Sequence, residues 1–324
     1  MASEKYATVG RRCISLAVKG HLSEIEKTID GDIICKLASY EDEAREAWYK
    51  AFEVLLSVEK DTKISFHFNE KLKLYALDTL LVADSLGISK KERFEALQVY
   101  IIYYLVVHVL DDLAEDHKKF RANFTMINAD ECEKVDFNLE AAGASFIYIA
   151  LMTVNEILES GRSEPIETNK IISKFMRSIV MQIKYYTFEK IENLPPEKVF
   201  EIKQHNVSGE ATAFIADCLG LDLRYDKKTF QHIKNALYYL GSLTQFTDDL
   251  RDCKEDTENN NANLFLSMKN NYRSDAEDMY VDWYVNEEKL MLKEIEKTNL
   301  NLDCSLICSV PWHPYFMRCN TKLY

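Results

Sequence analysis

Glycine and proline are scarce in this sequence, with 9 and 5 among 324 residues. Architectures built on many tight turns need both, because glycine supplies positive φ and proline pre-sets the turn. The shortage excludes a turn-rich β fold and favours long helices. Positive charge is also in deficit: 40 Lys and Arg stand against 53 Asp and Glu, a formal net charge of −13. That balance excludes nucleic-acid binding through a basic surface. The 8 cysteines fall at scattered positions with no repeating spacing. In a chain of this length they read as reduced thiols and not as a disulfide framework. The longest apolar run, "ALQVYIIYYLVVHVL" (96–110), falls short of the ~20 residues of a membrane span. It also carries three tyrosines and His108, and reads as a central buried helix. The N-terminal "MASEKYATVGRR" lacks the apolar stretch of a signal peptide. There is no glycine-rich loop of the kinds that cradle nucleotide phosphates. A cytoplasmic protein with no integral membrane segment and no nucleic-acid partner is expected.

What is present is helical periodicity. Apolar residues make up 47% of the chain, enough for a substantial core. They recur at i, i+3, i+4, i+7 over 40–57, 69–86, 90–117, 138–159, 166–191, 196–219, 226–253 and 274–297. Asp226 stands where an N-cap belongs, and Pro195-Pro196 sits where a helix tolerates proline. Gly87 ends one helix, and Ser89 with Glu92 forms a capping-box pattern for the next. No strand, repeat or dividing linker is evident, and "DTENNNANLF" (256–265) is the most loop-like stretch. One all-α domain over 1–324, of eight to ten helices, is expected.

Two acidic clusters interrupt the pattern, each after a long apolar helix. In "YYLVVHVLDDLAED", Asp111 and Glu115 are four apart, as are Asp112 and Asp116, so each pair stacks on one helix face. In "LTQFTDDLRDCKEDTENN", Asp248, Asp252 and Asp256 follow at i, i+4 and i+8, with Asp249 and Glu255 flanking them and Gln245 one turn earlier. Like charges so spaced repel. Either water solvates them as ordinary helix ends, or cations hold them. Two such clusters in one chain favour cations, and carboxylate oxygens suit Mg²⁺ or Mn²⁺ shared with substrate phosphates. The apolar, aromatic-rich helices beneath would enclose a pocket for a hydrocarbon. Gly209 interrupts an otherwise helical "KQHNVSGEATAF", at a cost of about 1 kcal/mol against alanine. A helix break there would aim Asn206 or a carbonyl into the pocket; close helix packing is the plainer alternative. Cys304, Cys308, His313 and Cys319 match no strong zinc spacing, and "PWHPYFMRCNTKLY" reads better as a cap over the pocket mouth.

"LVVHVLDDLAED" resembles the first aspartate-rich motif of the class I isoprenoid (terpenoid) synthases, and "QFTDDLRDCKED" their second. Within the second, Gln245, Arg251, Asp252, Glu255 and Asp256 fall in register with the squalene and phytoene synthase pattern. "HNVSGEA" (205–211) is similar to that branch's Tyr–Val–Ala–Gly stretch. Asp248, Asp252 and Asp256 also match the metal triad of terpene cyclases. The elements that bind isopentenyl diphosphate in chain-elongating enzymes, Gly–Lys–x–x–Arg and Arg–Arg–Gly, have no counterpart here. Nor is there the Ser-Arg-Ser-Phe-type element of squalene synthases.

The resemblance therefore implies a helical bundle around a central apolar cavity and, first, a Mg²⁺-dependent terpene synthase, a lyase that ionises a prenyl diphosphate and cyclises the carbocation. A prenyltransferase coupling two prenyl diphosphates is the alternative, and a non-catalytic scaffold with decayed motifs the alternative of another class. The resemblance implies three Mg²⁺ ions on Asp111, Asp112, Glu115, Asp248, Asp252 and Asp256. Asp111, Asp112, Asp248 and Asp252 are the catalytic set. Arg251, with Lys203, Arg177 and Arg318, would grip the diphosphate. Tyr103, Tyr104, His108, Phe146, Tyr185, Asn206, Gly209, Phe214, Tyr239, Gln245 and Phe246 would line the cavity, where aromatic faces can steady a cation. Homodimers are common in that superfamily, and substrate length stays open.

Overall fold

A computed structural model describes residues 2–29, 31–62, 64–67, 76–115, 125–128, 133–134, 139–161, 165–186 and 194–312. Apart from one small sheet, the described residues form an all-α helical bundle, as the periodicity predicts. Its principal helices are α1 (Ala2–Val18), α2 (Gly31–Ser39), α3 (Glu41–Thr62), α4 (Ala76–Ser85), α5 (Lys90–Glu115), α6 (Leu139–Gly161) and α7 (Pro165–Tyr186). After these, α8 runs in three contiguous pieces: Pro196–Val199, a π-helix over Phe200–Gly209, and Glu210–Cys218. Then come α9 (Lys227–Arg251), α10 (Cys253–Asn259), α11 (Leu264–Tyr272), α12 (Ala276–Thr298) and α13 (Cys304–Ser309).

The punctuation works as the residues dictate. Asp226 accepts from the backbone N–H groups of Lys228 and Thr229 at 2.9 and 3.1 Å, capping α9. Gly87 adopts φ +68°, the left-handed conformation that costs glycine no steric penalty. Two expectations need correction. Three short strands, β1 (Ile64–His67), β2 (Thr125–Asn128) and β3 (Glu133–Lys134), form a small antiparallel sheet in the order β1-β2-β3. Ile64 pairs with Asn128 and His67 with Thr125. Strands this short show no period of their own. The stretch expected to be a loop from 256 is helical to Asn259 and helical again from Leu264.

Helix α5 is the hub. It packs against α3, α4, α6, α7 and the last piece of α8. Its stretch Arg93–Leu110 is apolar enough to cross a membrane by length and composition, at mean hydropathy 1.3, but 61% of it is buried inside the bundle. Its entry is held by a buried bidentate ion pair, Arg93 Nε and Nη2 to Glu43 at 2.8 and 2.7 Å. A second layer is built on α9, which lies against α12, the π-helix and the last piece of α8. The contact with the π-helix is close enough to demand glycine. A Cβ on Gly241 would collide with the Ser208 carbonyl oxygen, and one on Gly209 would meet the Tyr238 ring at 3.0 Å. The predicted break at Gly209 is therefore not found. Gly209 keeps helical angles, φ −60° and ψ −50°, and its missing side chain serves packing. The break in regularity is the π-helix that precedes it.

Helix α12 buries an ionisable group in this layer. Glu288 is fully buried, and both its carboxyl oxygens lack a hydrogen-bond partner among the described residues. Burial pushes its carboxyl up to about 8. The folded state thus holds a proton that the unfolded chain releases near pH 4.5, and stability falls as pH rises from there towards 8.

Two outcomes follow from this packing. Gly241→Ala should destabilise by about 1–3 kcal/mol, since the collision is with backbone, and by more than Gly209→Ala, where the Tyr238 ring can shift and the nearest backbone atom, the Gln204 carbonyl oxygen, is 3.1 Å away; urea unfolding of both variants compares them. Glu288→Gln should raise the melting temperature at pH 8.5 while leaving it nearly unchanged at pH 5, because only the ionised form is penalised.

Candidate metal and diphosphate site

The second acidic cluster sits where α9 gives way to α10. Asp252 leaves helical geometry at φ −96° and ψ 4°. The i+4 ladder nevertheless continues across the join, Asp252 N–H to Asp248 O and Asp256 N–H to Asp252 O, both at 2.8 Å. Asp248, Asp252 and Asp256 therefore stay one turn apart, as the spacing predicts. Their environments are unequal. The Asp248 and Asp252 side chains are 30% and 37% exposed and share one partner, the guanidinium of Arg251. Its Nη1 lies 2.6 Å from Asp248 Oδ1, and its Nε and Nη2 donate to the two oxygens of Asp252 at 3.0 Å each. Asp256 is buried and accepts from Asn263 Nδ2 at 2.7 Å. Desolvation raises its pKa, Lys203 opposing.

Asp249, read from the sequence as a flank, is the buried centre. It is 1% exposed. Gln245 Nε2, one turn before it, donates to Oδ1 at 2.9 Å. Gln204 Nε2 from the π-helix and the Leu264 N–H at the start of α11 donate to Oδ2 at 2.8 and 2.9 Å. Lys203 Nζ stands 3.9 Å away and donates to the Ala262 carbonyl at 2.7 Å. Burial pushes the Asp249 carboxyl up to about 6 against the pull of Lys203 and these donors. Asn263 ties the loop shut: the same Nδ2 reaches the Asp249 carbonyl at 2.7 Å, and its Oδ1 caps α11 through the Leu266 N–H.

Lys203 and Gln245, expected at the diphosphate and in the cavity, thus belong to this buried network. Asn206 turns back to the Glu201 carbonyl at 2.8 Å, closing on its own π-helix. Arg177 is exposed on α7. Of the aromatic set, Tyr103, Phe146, Phe214 and Phe246 are buried in the core. The Tyr103 hydroxyl pairs with Ser178 at 2.6 Å, and its ring lies 4.8 Å from that of Phe214. Phe246 packs edge-on to Tyr280 at 4.9 Å. Tyr104 stacks edge-on to His108 at 4.6 Å, and Tyr239 to Tyr238 at 5.8 Å. A cavity of about 580 Å³ opens elsewhere, beside Asp61, Ser145, Tyr148 and Met152.

The first cluster lies on the last described turn of α5, which is helical through Glu115. The side chains of Asp111, Asp112, Glu115 and Tyr185, and all of Asp116, His313, Arg318 and Cys319, lie outside the described residues. So does the expected facing of the two clusters. Among the described residues no group of three His, Cys, Asp or Glu side chains is brought together for a metal. The fit to a cation rests on two observations. Asp248 and Asp252 already converge on one positive charge, that of Arg251. In the network behind them, Gln204 Oε1 is buried with no hydrogen-bond partner among the described residues, as polar atoms awaiting water or a ligand are. A signal for Asp249 was present: "DDLAE" (111–115) recurs as "DDLRD" (248–252), which pairs Asp249 with Asp112. Nothing in the sequence announced Gln204 or Asn263.

No protein-family model matches the chain, and no curated protein matches it in sequence. Solved structures do share its fold. A geranylgeranyl pyrophosphate synthetase from the archaeon Geoglobus acetivorans aligns at TM-score 0.53 and 16% identity, over 85% of this chain and 98% of that one. A polyprenyl synthetase from Streptomyces coelicolor A3(2) aligns at TM-score 0.50 and 13% identity, over 72% and 82%. At these identities the likeness shows a fold shared with the two synthetases. The cyclase reading is overturned: the matched structures are prenyltransferases, so the lyase and carbocation-cyclising chemistry is set aside.

Lys203→Met should destabilise by about 3–5 kcal/mol at pH 7.5, because it strands Asp249 and Asp256 as buried charges. Asp249 takes up a proton below about 6, so the deficit should shrink in urea melts at pH 5.

Proposed function

We propose that this chain is a divalent-metal-dependent prenyltransferase, working as one unit over 1–324, that joins prenyl diphosphate substrates. The observation that carries the reading is the Asp248–Asp252 pair, converged on a cation, in a bundle that aligns with 98% of a geranylgeranyl pyrophosphate synthetase. Mg²⁺ there would supply Lewis-acid charge neutralisation for a departing diphosphate. Asp248 and Asp252 would hold it from this side, and Asp111, Asp112 and Glu115 are proposed for the other. Asp249, Lys203 and Gln204 act behind the pair. They fix the α9 end in position and present no free carboxylate to solvent. Arg251 carries the charge that diphosphate oxygens accept bidentately. Asp256, buried and bonded to Asn263, serves the loop more than the rim.

Extension by isopentenyl diphosphate and coupling of two prenyl diphosphates are both open to such a site. The in-register Gln245, Arg251, Asp252, Glu255 and Asp256 favour coupling, while the aligned structures favour extension. Labelled allylic diphosphates of 10, 15 and 20 carbons, each incubated with Mg²⁺ with and without isopentenyl diphosphate, distinguish them. Extension gives products longer by five-carbon units only when the co-substrate is present. Coupling doubles the carbon number without it. Asp248→Asn should lower either turnover by about 10²-fold or more, a loss of roughly 3 kcal/mol of transition-state stabilisation, with the melting temperature held. No diphosphate release under any of these conditions would sink the proposal.

A further inference from the structure

Helix α1 stands apart from the layer that α5 organises. It packs on α12, and more lightly on α9 and α13. Its buried stripe is Cys13, Ile14 and Ala17. One turn earlier, the backbone of α1 at Gly10 rests directly on the Glu288 carboxyl group. A Cβ on Gly10 would overlap the carboxyl carbon and both its oxygens. The carboxyl thus fills the place of a side chain on the facing helix. Among the described residues the groups that face it are all acids: Cys13 from α1, Tyr284 from its own helix and Cys308 from α13. A charge on Glu288 would push each of them further toward its protonated form. The cations and imidazoles nearby are engaged elsewhere. Arg12 is exposed and acts on Cys13. On the π-helix His205 is bonded to Glu287, and on α9 His232 is bonded to Glu294 while Tyr239 faces both those glutamates. Lys269 of α11 lies over the Phe265 ring.

We infer that α1 is a proton-dependent latch, docked on α12 while the Glu288 carboxyl is neutral and released, ahead of the rest of the bundle, when that carboxyl ionises. The inference is independent of the function proposed above. An ionised carboxylate needs water or a cation, and Glu288 reaches neither while Gly10 covers it. Hydrating it requires α1 to part from α12. The α5 layer can stay closed meanwhile, because its packing runs through α3, α4, α6, α7 and the last piece of α8. Among the described residues the polar tie between α1 and α12 is one exposed ion pair, Arg11 Nη2 to Asp282 Oδ1 at 2.9 Å, of a kind that contributes little. The sign is fixed by the two states. Docked, Glu288 keeps its proton up to about pH 8; released, it titrates at its ordinary 4.5. Between those values each pH unit raises the ratio of released to docked α1 about tenfold.

Native-state hydrogen exchange, read by mass spectrometry and corrected for intrinsic amide rates, tests this on the whole chain at pH 5.5, 6.5 and 7.5 and at low urea. In the wild type, amides of 9–18 should be at least about tenfold less protected than those of 97–109. Their exchange should depend weakly on urea, since a local opening exposes little surface. Their protection should fall on the order of 10²-fold from pH 5.5 to 7.5. Glu288→Gln should abolish that fall, and Glu288→Met supplies the neutral side chain if the glutamine variant does not fold. If 9–18 and 97–109 exchange together with one urea dependence, α1 opens only when the bundle unfolds and the inference is wrong. A local opening that ignores pH, or that follows pH equally in the neutral variant, overturns it as well.

Discussion

The buried carboxylate of Asp249 is the constraint on which the candidate site depends. An ionised carboxylate taken out of water costs several kcal/mol unless donors replace its hydration. Here they come from three separate parts of the chain: the π-helix through Gln204, α9 itself through Gln245, and the start of α11 through the Leu264 N–H. Each donor fixes a backbone. Together they pin α8 to α9 and force the chain after α10 to turn back at Asn263. Removing that charge from solvent leaves Asp248 and Asp252, one turn apart, at the rim.

The π-helix makes this possible. Its wider turn leaves backbone groups for side chains to meet, as at Glu201, whose carbonyl accepts from Asn206, and Val207, whose carbonyl accepts from Gln182. Lys203 and Gln204 are both buried toward α9, where one reaches the Ala262 carbonyl and the other Asp249. Departures of this kind from α geometry recur at functional sites. The close approach of Ser208 to Gly241 keeps the π-helix in place against α9, so the glycines serve the site by packing and not by bending.

The rim pair shows how a protein can store opposite charges in one place. Two carboxylates a turn apart at a helix C-terminus repel each other and the helix dipole. Arg251 offsets both. What looks from the outside like a cluster of acids is about half neutralised on the inside, with Lys203 set against Asp249 and Asp256 and Arg251 against Asp248 and Asp252. The excess charge of such a site is smaller than a count of its aspartates suggests.

The sequence by itself determined the helical class, most helix positions and the one-turn spacing of Asp248, Asp252 and Asp256, because these follow from local periodicity and from caps such as Asp226. It also pointed to the isoprenoid synthase fold through the two aspartate-rich motifs. It ranked cyclase above transferase, wrongly, because absent co-substrate motifs are a weaker guide than the bundle as a whole. Only the tertiary structure decided which aspartate is buried and which is shared with arginine. Gln204, Lys203 and Asn263 lie 45, 46 and 14 residues from Asp249. No local pattern records which distant donor a carboxylate will meet. The aromatic residues show the same limit: periodicity marks Tyr103, Phe214 and Phe246 as apolar-facing, and only packing reveals the rings that meet them. The small sheet and the π-helix lay beyond a local reading for a common reason, since both are fixed by neighbours far away along the chain.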